Sequence, residues 1–241
     1  MHQTNMLRCS RCGRPAIYFD HMAGRSLCVT CLSRSLEQRF RRSLREAKPR
    51  RNDVLVLVGR GDLASLHALK LLLKVEEGYP TTVKVLEVSS KPICKDLCEE
   101  RGVAYSFHEV TANSYTRLRL QVLRLVEEYG LQQALLVMPD TVEDLALYAM
   151  GEVWLGDLRG LILDLKLRTA YPQSKISLKA IAAIMLSRGS APRAILQLPQ
   201  TSKAKYLISD MEKNTPSLLF SASEALLKLL REMREKHIKA R

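Results

Sequence analysis

The 241-residue chain has few aromatic residues and no long apolar run. Phe, Trp and Tyr make up 5% of it, with a single Trp, so the sequence indicates no platform on which the bases of a single-stranded nucleic acid would stack. No run of about 18 apolar residues is present, which predicts that no helix spans a membrane. The opening MHQTNMLRCSRC also lacks the apolar centre of a signal peptide. We therefore expect a cytoplasmic protein without a membrane partner.

Acidic residues are outnumbered by basic ones, 25 to 38, which gives a net charge of +13. An excess of this size favours a polyanionic partner, because each neutralised phosphate releases condensed counterions. Between residues 34 and 51, Leu36, Phe40 and Leu44 recur at helical spacing among many cations. We predict that these cations bind the phosphates of a folded RNA; the alternative is a solvated amphipathic helix. The candidate RNA-binding residues are Arg39, Arg41, Arg42, Arg45, Lys48, Arg50 and Arg51.

The six cysteines include two CxxC pairs near the N-terminus. Cys9 and Cys12 are separated by 15 residues from Cys28 and Cys31, a spacing typical of a zinc ribbon or knuckle. Zn²⁺ prefers four thiolates in tetrahedral geometry, and a fully thiolate-bound ion has no open position for catalysis. We predict one structural zinc held by these four residues, with a disulfide or free thiols as the alternative. Cys94 and Cys98 lie four apart on a predicted helix and are interpreted as small buried side chains.

The remainder of the chain alternates strand-like and helix-like segments. DVLVLVG (53–59), TTVKVLEV (81–88), VAYSFHEV (103–110) and QQALLVMP (132–139) predict strands, each followed by a helical pattern. This rhythm predicts an α/β fold with a doubly wound parallel sheet. A further strand is expected at 176–181, with helices at 201–213 and 221–239. We divide the chain into a zinc ribbon at 1–33, a basic helix and linker at 34–52, and an α/β domain at 53–241.

A glycine-bearing loop, VGRGDLAS (58–65), follows the first strand of the α/β domain. Such a turn often places phosphate on the N-terminus of the next helix. The loop has neither the lysine of a Walker loop nor a three-glycine fingerprint. By itself it is weak support for a nucleotide site.

The order of a CxxC…CxxC module, a basic helix and VLVLVGRGDLASLHAL resembles the PP-loop ATP pyrophosphatases of the tRNA 2-thiolation branch. Two further segments, MPDTVEDLALYAMGEVWLGDL (138–158) and ILQLPQTSKAKYLISDMEKNTP (195–216), are similar to later motifs of that family. The resemblance implies a PP-loop fold and a site for ATP and Mg²⁺. Its positions in this sequence would include Gly59, Gly61, Glu143 and Asp144.

The chain departs from the family pattern at the positions that carry chemistry. Arg60 stands where the loop has Gly, and Leu63 stands where it has an Asp that organises metal and nucleotide; Leu cannot coordinate Mg²⁺. Met138, Pro139 and Asp140 replace Gly-His-Asn. Leu198 occupies the place of a site cysteine, and Asn113 or Ser114 lies where another is expected. A leucine carries no persulfide and ligates no iron–sulfur cluster.

The resemblance therefore implies a non-catalytic, tRNA-binding subunit with a degenerate nucleotide site. It would support 2-thiolation of wobble uridine together with a catalytic PP-loop thiolase, as a hetero-oligomer or through self-association. One alternative is an active ATP-dependent tRNA-modifying enzyme, an adenylating sulfurtransferase in which the loop still binds ATP. A second is a DNA-binding zinc ribbon joined to an unrelated α/β domain.

Overall fold

Five parallel strands form the centre of the protein, in the order β5-β4-β3-β6-β7. The computed structural model describes residues 7–112, 114–154, 156–189, 210–211 and 214–239, with side chains as far as residue 236. Over these ranges no helix has the length and apolar character needed to cross a bilayer. The expected α/β fold with a parallel sheet and a cysteine-containing hairpin module at its front is confirmed.

The elements follow one another in a regular order along the chain. The strands are β1 (Tyr18–Asp20), β2 (Arg25–Leu27), β3 (Val54–Gly59), β4 (Thr82–Ser89), β5 (Ala104–Glu109), β6 (Leu135–Val137) and β7 (Arg168–Ala170). The helices are α1 (Val29–Glu46), α2 (Leu63–Glu76), α3 (Lys95–Arg101), α4 (Tyr115–Glu128), α5 (Val142–Tyr148), α6 (Ile162–Lys166), α7 (Leu178–Ser187) and α8 (Pro216–Lys239). A π-helical turn (Ala149–Val153) and a 3₁₀ turn (Arg159–Leu161) lie between α5 and α6.

The sheet buries both of its faces, which explains the continuous apolar runs of its central strands. On β3, Leu55 and Leu57 pack with α1, α2 and α7, whereas Val56 and Val58 pack with α4, α5 and α8. This alternation follows from the two-residue period of a strand. β3 pairs with β4 on one side and with β6 on the other. The chain changes direction across the sheet between β3 and β6, at the position where ligands of doubly wound sheets bind.

The strand expected at 176–181 is not formed. Ile176 lies in a buried loop, and Ser177 caps the N-terminus of α7 by accepting a hydrogen bond from the backbone N–H of Lys179. The fifth strand is β7, which pairs in parallel with β6. β7 has only three residues, one of them an arginine, so it carries no apolar signature in the sequence. α8 begins at Pro216 itself. Proline is tolerated there because the N–H that it lacks would have no hydrogen-bond partner in the first turn of a helix. Most of the helix expected at 201–213 lies outside the described residues.

Helix α1 joins the cysteine module to the sheet. It begins at Val29, earlier than the expected residue 34, so Cys28 is its N-cap and Cys31 lies in its first turn. Leu36 and Phe40 pack in the same hydrophobic cluster as Cys9 and Leu57. The module therefore packs on one face of the sheet through α1.

Candidate functional site

Four cysteine sulfur atoms converge at the front of the molecule. The Sγ atoms of Cys9, Cys12, Cys28 and Cys31 all lie within 4.8 Å of one another. Cys12 Sγ lies 3.5 Å from Cys28 Sγ and 3.7 Å from Cys31 Sγ. A disulfide would need a sulfur separation of about 2 Å. Tetrahedral ligands at about 2.3 Å from a zinc ion stand about 3.8 Å apart. The arrangement thus fits a metal ion bound by four thiolates.

Local backbone geometry holds these sulfur atoms in place. The first pair lies in a tight turn in which the N–H of Gly13 donates to the carbonyl of Cys9 at 2.9 Å, and Gly13 adopts the left-handed conformation (φ 71°) that glycine tolerates. The second pair is held by the first turn of α1. Backbone hydrogen bonding from Cys28 lowers the pKa of Cys9 to about 6, which favours the thiolate. Burial raises the pKa of Cys31 to about 12, and a bound cation would overcome this by stabilising the thiolate.

The crevice between the carboxyl ends of β3 and β6 contains the side chain of Arg60. Only 5% of this side chain is exposed. Its guanidinium donates to Asp140 Oδ1 at 2.9 Å and to Asp144 Oδ2 at 2.8 Å, and it lies 2.8 Å from Asp62 Oδ2. Burial lowers the pKa of Arg60, but the three carboxylates outweigh this and hold it well above its ordinary value. A permanent cation therefore lies where a doubly wound sheet usually receives its ligand.

A second buried arginine extends this network behind the first. Arg119 Nη1 donates to Asp164 Oδ2 at 2.7 Å and to the hydroxyl of Tyr171 at 2.8 Å. Its other terminal nitrogen lies 3.8 Å from Asp140 Oδ2, and neither of these two atoms has a hydrogen-bond partner among the described residues. Burial raises the pKa of Asp140, although both arginines oppose the shift. Asp140 is thus shared between Arg60 and Arg119.

The loop after β3 uses its own polar groups to close on itself. Asp62 accepts from the backbone N–H of Ser65 at 2.8 Å and from its hydroxyl at 2.6 Å, which caps the N-terminus of α2. The Ser65 hydroxyl in turn accepts from the backbone N–H of Arg60 at 2.8 Å. The backbone N–H groups of Arg60 and Ser65 are donors of the kind that bind phosphate in other loops at this position.

The two loop glycines are required by close packing against β4. A Cβ atom at Gly61 would lie 2.7 Å from Ser89 and 2.9 Å from the carbonyl of Lys91, and the residue also has a φ of +68°. A Cβ atom at Gly59 would lie 3.0 Å from the side chain of Glu87. Close contact with the neighbouring strand accounts for both glycines without a bound phosphate.

Glu143 and Asp144 point to different surroundings. Glu143 accepts from the backbone N–H of Leu178 at 3.0 and 3.1 Å, at the start of α7, and its burial raises its pKa to about 7. Burial also raises the pKa of Asp144, but Arg60 outweighs it and the net pKa is below the ordinary value. Asp144 accepts as well from the hydroxyl of Tyr115 at 2.5 Å. The two acidic side chains do not face a common space in which one Mg²⁺ could bind.

The cations predicted to bind RNA differ in their contacts and exposure. Arg39 is paired with Asp20 of the cysteine hairpin and donates to the carbonyl of Lys175 at 3.3 Å. Arg41 donates to Glu37 at 3.2 Å. The others are exposed: Arg42, Arg45, Lys48, Arg50 and Arg51. Arg39 therefore ties the hairpin to α1, and the exposed members remain the candidates for phosphate contacts.

The positions linked to sulfur chemistry are only partly described. Leu198 and Asn113 lie outside the described residues. Ser114 is the N-cap of α4, where its hydroxyl accepts from the backbone N–H of Arg117 at 3.2 Å. Cys94 and Cys98 are fully buried, and burial raises the pKa of both thiols, to about 11 for Cys98. These two residues thus behave as core side chains.

No motif in the sequence predicts the Arg60 network directly. Arg60 and Asp140 were recognised as departures from a motif, but their contact spans 80 positions in the chain. One signal could have predicted it: an arginine follows the central strand β3, and an aspartate follows its neighbour β6. Arg119 and Asp164 carried no motif at all.

Comparisons with known proteins identify the fold. No family model matches the sequence, and no curated protein does. The solved structure of the U34-tRNA thiolase NcsA from Methanococcus maripaludis with its [4Fe-4S] cluster matches with a TM-score of 0.73 and 18% sequence identity, over 93% of this chain and 87% of that chain. An NH3-dependent NAD synthetase from Campylobacter jejuni matches with a TM-score of 0.47 and 14% identity, over 87% and 94% of the two chains. An NMN synthetase from Francisella tularensis gives 0.47 and 13%, over 83% and 95%. At 18% identity the comparison shows that this chain shares the fold of that U34-tRNA thiolase, as the resemblance in the sequence predicted.

Proposed function

We propose that this protein is a tRNA-binding PP-loop subunit without ATP pyrophosphatase activity, which supports 2-thiolation of wobble uridine by a catalytic PP-loop thiolase. The observation that carries the proposal is the Arg60 guanidinium, bound by three carboxylates in the crevice between β3 and β6. The fold shared with a U34-tRNA thiolase supports the link to tRNA thiolation. The exposed cations at the end of α1 and in the loop that follows support RNA binding.

The Arg60 network opposes ATP binding for two physical reasons. A polyphosphate in this crevice would meet Asp62, Asp140 and Asp144, whose combined negative charge exceeds the charge of Arg60 and repels it, and Arg60 could bind the phosphates only by leaving these carboxylates. Releasing Arg60 would leave buried carboxylates without their counter-ion, which is strongly unfavourable. The loop amides are also engaged by Asp62 and Ser65. A nucleotide would thus have to break several buried contacts before it gained any.

We further propose that the four-cysteine site binds zinc in a structural role. Among the residues that the structure describes, the donor set is four thiolates with no further side chain in the group, and such closed sites stabilise small modules that bury little apolar surface. Elemental analysis of the purified protein distinguishes zinc from iron. One equivalent of zinc without visible iron–sulfur absorption is expected. Iron and sulfide in a fixed ratio would contradict the zinc proposal and leave the metal site itself intact.

The decisive experiment is reconstitution with a catalytic PP-loop thiolase and tRNA. We expect the isolated protein to bind tRNA, to release no pyrophosphate from ATP and Mg²⁺, and to raise the thiolation rate of the catalytic protein. Sedimentation of each protein alone and of the mixture distinguishes a hetero-oligomer from self-association. Pyrophosphate release by the isolated protein at a usual enzymatic rate, about 1 per second or more, would favour the active-enzyme alternative. Preference for duplex DNA over tRNA would favour the DNA-binding one.

A further inference from the structure

A basic groove opens at the edge of the sheet opposite the Arg60 crevice. It lies beside the amino ends of β3 and β4, between the end of α1 and the turn after α2, and encloses about 430 Å³. We call it the arginine groove and define it by Arg41, Arg45, Arg50, Arg51 and Tyr79. Its volume lies within the range of about 300–1,000 Å³ that small-ligand sites occupy. None of the departures from the PP-loop motif lies here.

The positive charge of this groove is largely uncompensated. Within the part of the chain that the structure describes, the guanidinium groups of Arg45, Arg50 and Arg51 form no hydrogen bond or ion pair with a carboxylate. Glu76 is the acidic residue of the lining, and its Oε2 accepts from the hydroxyl of Thr81 at 2.7 Å. Three guanidinium groups thus remain available to an anion. Guanidinium is well suited to phosphate because its planar donors match the oxygen geometry.

The two loops that form the groove are held by hydrogen bonds. Asp53 accepts from the backbone N–H of Arg50 at 2.6 Å and pairs with both terminal nitrogens of Arg168, at 2.9 and 3.0 Å. The Arg168 guanidinium holds the pKa of Asp53 below its usual range, so this contact persists at neutral pH. On the facing side the backbone N–H of Tyr79 donates to the carbonyl of Glu76 at 3.0 Å. A site with fixed walls loses less entropy when a ligand binds.

The groove also offers a flat apolar surface. Tyr79 at its rim is 58% exposed, although large aromatic residues are usually more buried. Leu44 and Val75 are buried at its floor, and Pro49 and Pro80 flank the opening. Stacking a base on an aromatic ring needs such an exposed face. The combination of one open ring with three free guanidinium groups fits a nucleotide better than it fits an inorganic anion.

We propose that the arginine groove binds one unpaired nucleotide of an RNA strand, with its base stacked on Tyr79 and its flanking phosphates on Arg45, Arg50 and Arg51. This inference rests on the proposed RNA-binding function and deepens it, because it adds an unpaired segment to the recognition of a folded RNA. The low aromatic content suggested that no stacking platform exists. One ring is sufficient for one base, and the fold places that ring among arginines that are 28 or more positions away from it in the chain.

Ultraviolet cross-linking of bulk tRNA followed by mass spectrometry tests the contact directly. We expect the cross-linked peptide to contain Tyr79. We also expect Tyr79→Ala to weaken binding of a short single-stranded RNA about tenfold, equivalent to about 1.4 kcal/mol and within the range for one stacked base. Tyr79→Phe should restore affinity, since the ring and not the hydroxyl is needed. An abasic strand of equal length should bind the wild type and Tyr79→Ala equally.

A matched control removes the same groups elsewhere. Tyr129 is 46% exposed and Arg124 is exposed on α4, so Arg124→Ala with Tyr129→Ala loses one ring and one charge, as Arg50→Ala with Tyr79→Ala does. Only the groove pair should lose base-dependent affinity.

Unchanged RNA affinity in Tyr79→Ala, with wild-type tRNA binding intact, would overturn the proposed nucleotide site in the arginine groove and leave the proposed function standing. Absence of tRNA binding by the wild type would overturn both. Binding of adenosine or uridine monophosphate that RNA does not displace would make the groove a mononucleotide site and contradict the RNA assignment.

Discussion

At the scale of single residues, Arg60 and Asp140 form an ion pair in the crevice between β3 and β6. Arg60 replaces a loop glycine of the PP-loop pattern, and Asp140 replaces an asparagine of a later motif; their side chains meet at 2.9 Å. Without Asp140, Arg60 would lose one of its three carboxylate partners, and without Arg60, Asp140 would have only the more distant Arg119 as a buried counter-ion. Together they form an internal ion pair in the crevice. Charges that could otherwise pair with a ligand are thereby paired with each other within the protein.

Arg60→Ala should destabilise the protein by about 3–5 kcal/mol, because it leaves the carboxylates of Asp62 and Asp144 without their counter-ion and Asp140 with Arg119 alone. Urea denaturation measures the free energy of unfolding. Asp140→Asn combined with Arg60→Ala should lose less than the sum of the two single variants, since the pair is coupled. Arg159→Ala, which breaks the exposed pair with Asp157, is the control and should have no measurable effect. Equal stability of Arg60→Ala and the wild type would contradict the internal counter-ion role.

Glu143 should make the protein less stable as the pH rises. Burial raises its pKa from an ordinary value near 4.5 to about 7, so the folded state binds this proton more tightly than the unfolded state does. The contribution is fully present below about pH 4.5 and is lost as the pH rises through about 7. Glu143→Gln keeps an acceptor for the Leu178 N–H and removes the titration. We expect the difference in unfolding free energy between pH 5 and pH 8 to be smaller in this variant; an identical pH dependence would contradict the buried-carboxyl account.

At the scale of elements, the metal site and α1 depend on each other. Cys28 is both a candidate ligand and the N-cap of α1, and the hairpin between the two CxxC pairs has only three residues in each strand. Strands of this length bury too little surface to fold alone. A metal ion bound to the four cysteines would therefore supply folding free energy to the whole N-terminal module.

Cys28→Ser should release the metal and unfold the module back to the start of α1. The metal content measured by elemental analysis should fall from about one equivalent per chain towards zero, and amide hydrogen exchange should become fast across the hairpin. Cys98→Ala is the matched control, because this buried thiol lies outside the cluster and its loss should leave the metal in place. A metal-free Cys28→Ser protein that keeps slow exchange in the hairpin would show that the fold does not need the ion.

At the scale of the whole molecule, the cations that give the net charge of +13 are of two kinds: some form ion pairs within the protein, and others are exposed. Arg39 and Arg168 hold the cysteine hairpin and the linker in place, whereas Arg60 and Arg119 neutralise buried aspartates. A count of arginines therefore overstates the charge available to a polyanion. Among the exposed cations, Arg45, Arg50 and Arg51 of the arginine groove lie beside the amino edge of the sheet, away from the Arg60 crevice.

Changing Arg41, Arg42 and Arg45 together to alanine should weaken tRNA binding and flatten its salt dependence. Each lost phosphate contact should reduce the slope of log K against log salt by about one unit. Arg41 is paired with Glu37, so we expect the larger share from Arg42 and Arg45. Filter binding between low and moderate salt measures the slope, and metal content should stay unchanged. The same slope in the triple variant and the wild type would mean that this surface is only solvated.

Much of the architecture followed from the order of residues. Buried central strands leave apolar runs, so β3, β4 and β6 were predicted close to their observed positions. β5 is a half-exposed edge strand and was predicted from the alternation of strands with helices. β7 was missed because three residues that include Arg168 have no such signature, and pairing with β6 alone makes them a strand. The cysteine cluster was predicted from spacing, since a CxxC turn brings its two sulfur atoms together whatever the surrounding fold.

By itself the sequence determined the period of each strand and helix, the metal-binding chemistry of the cysteines and the excess of positive charge, because these depend on neighbours along the chain. Only the tertiary structure decided what each charge does. Ion pairs act over a few ångströms, and the partners Arg60–Asp140, Arg119–Asp164 and Arg168–Asp53 are brought together by the order of strands in the sheet rather than by distance along the chain. The same folding places Tyr79 among the free arginines and closes the crevice in which a nucleotide would bind.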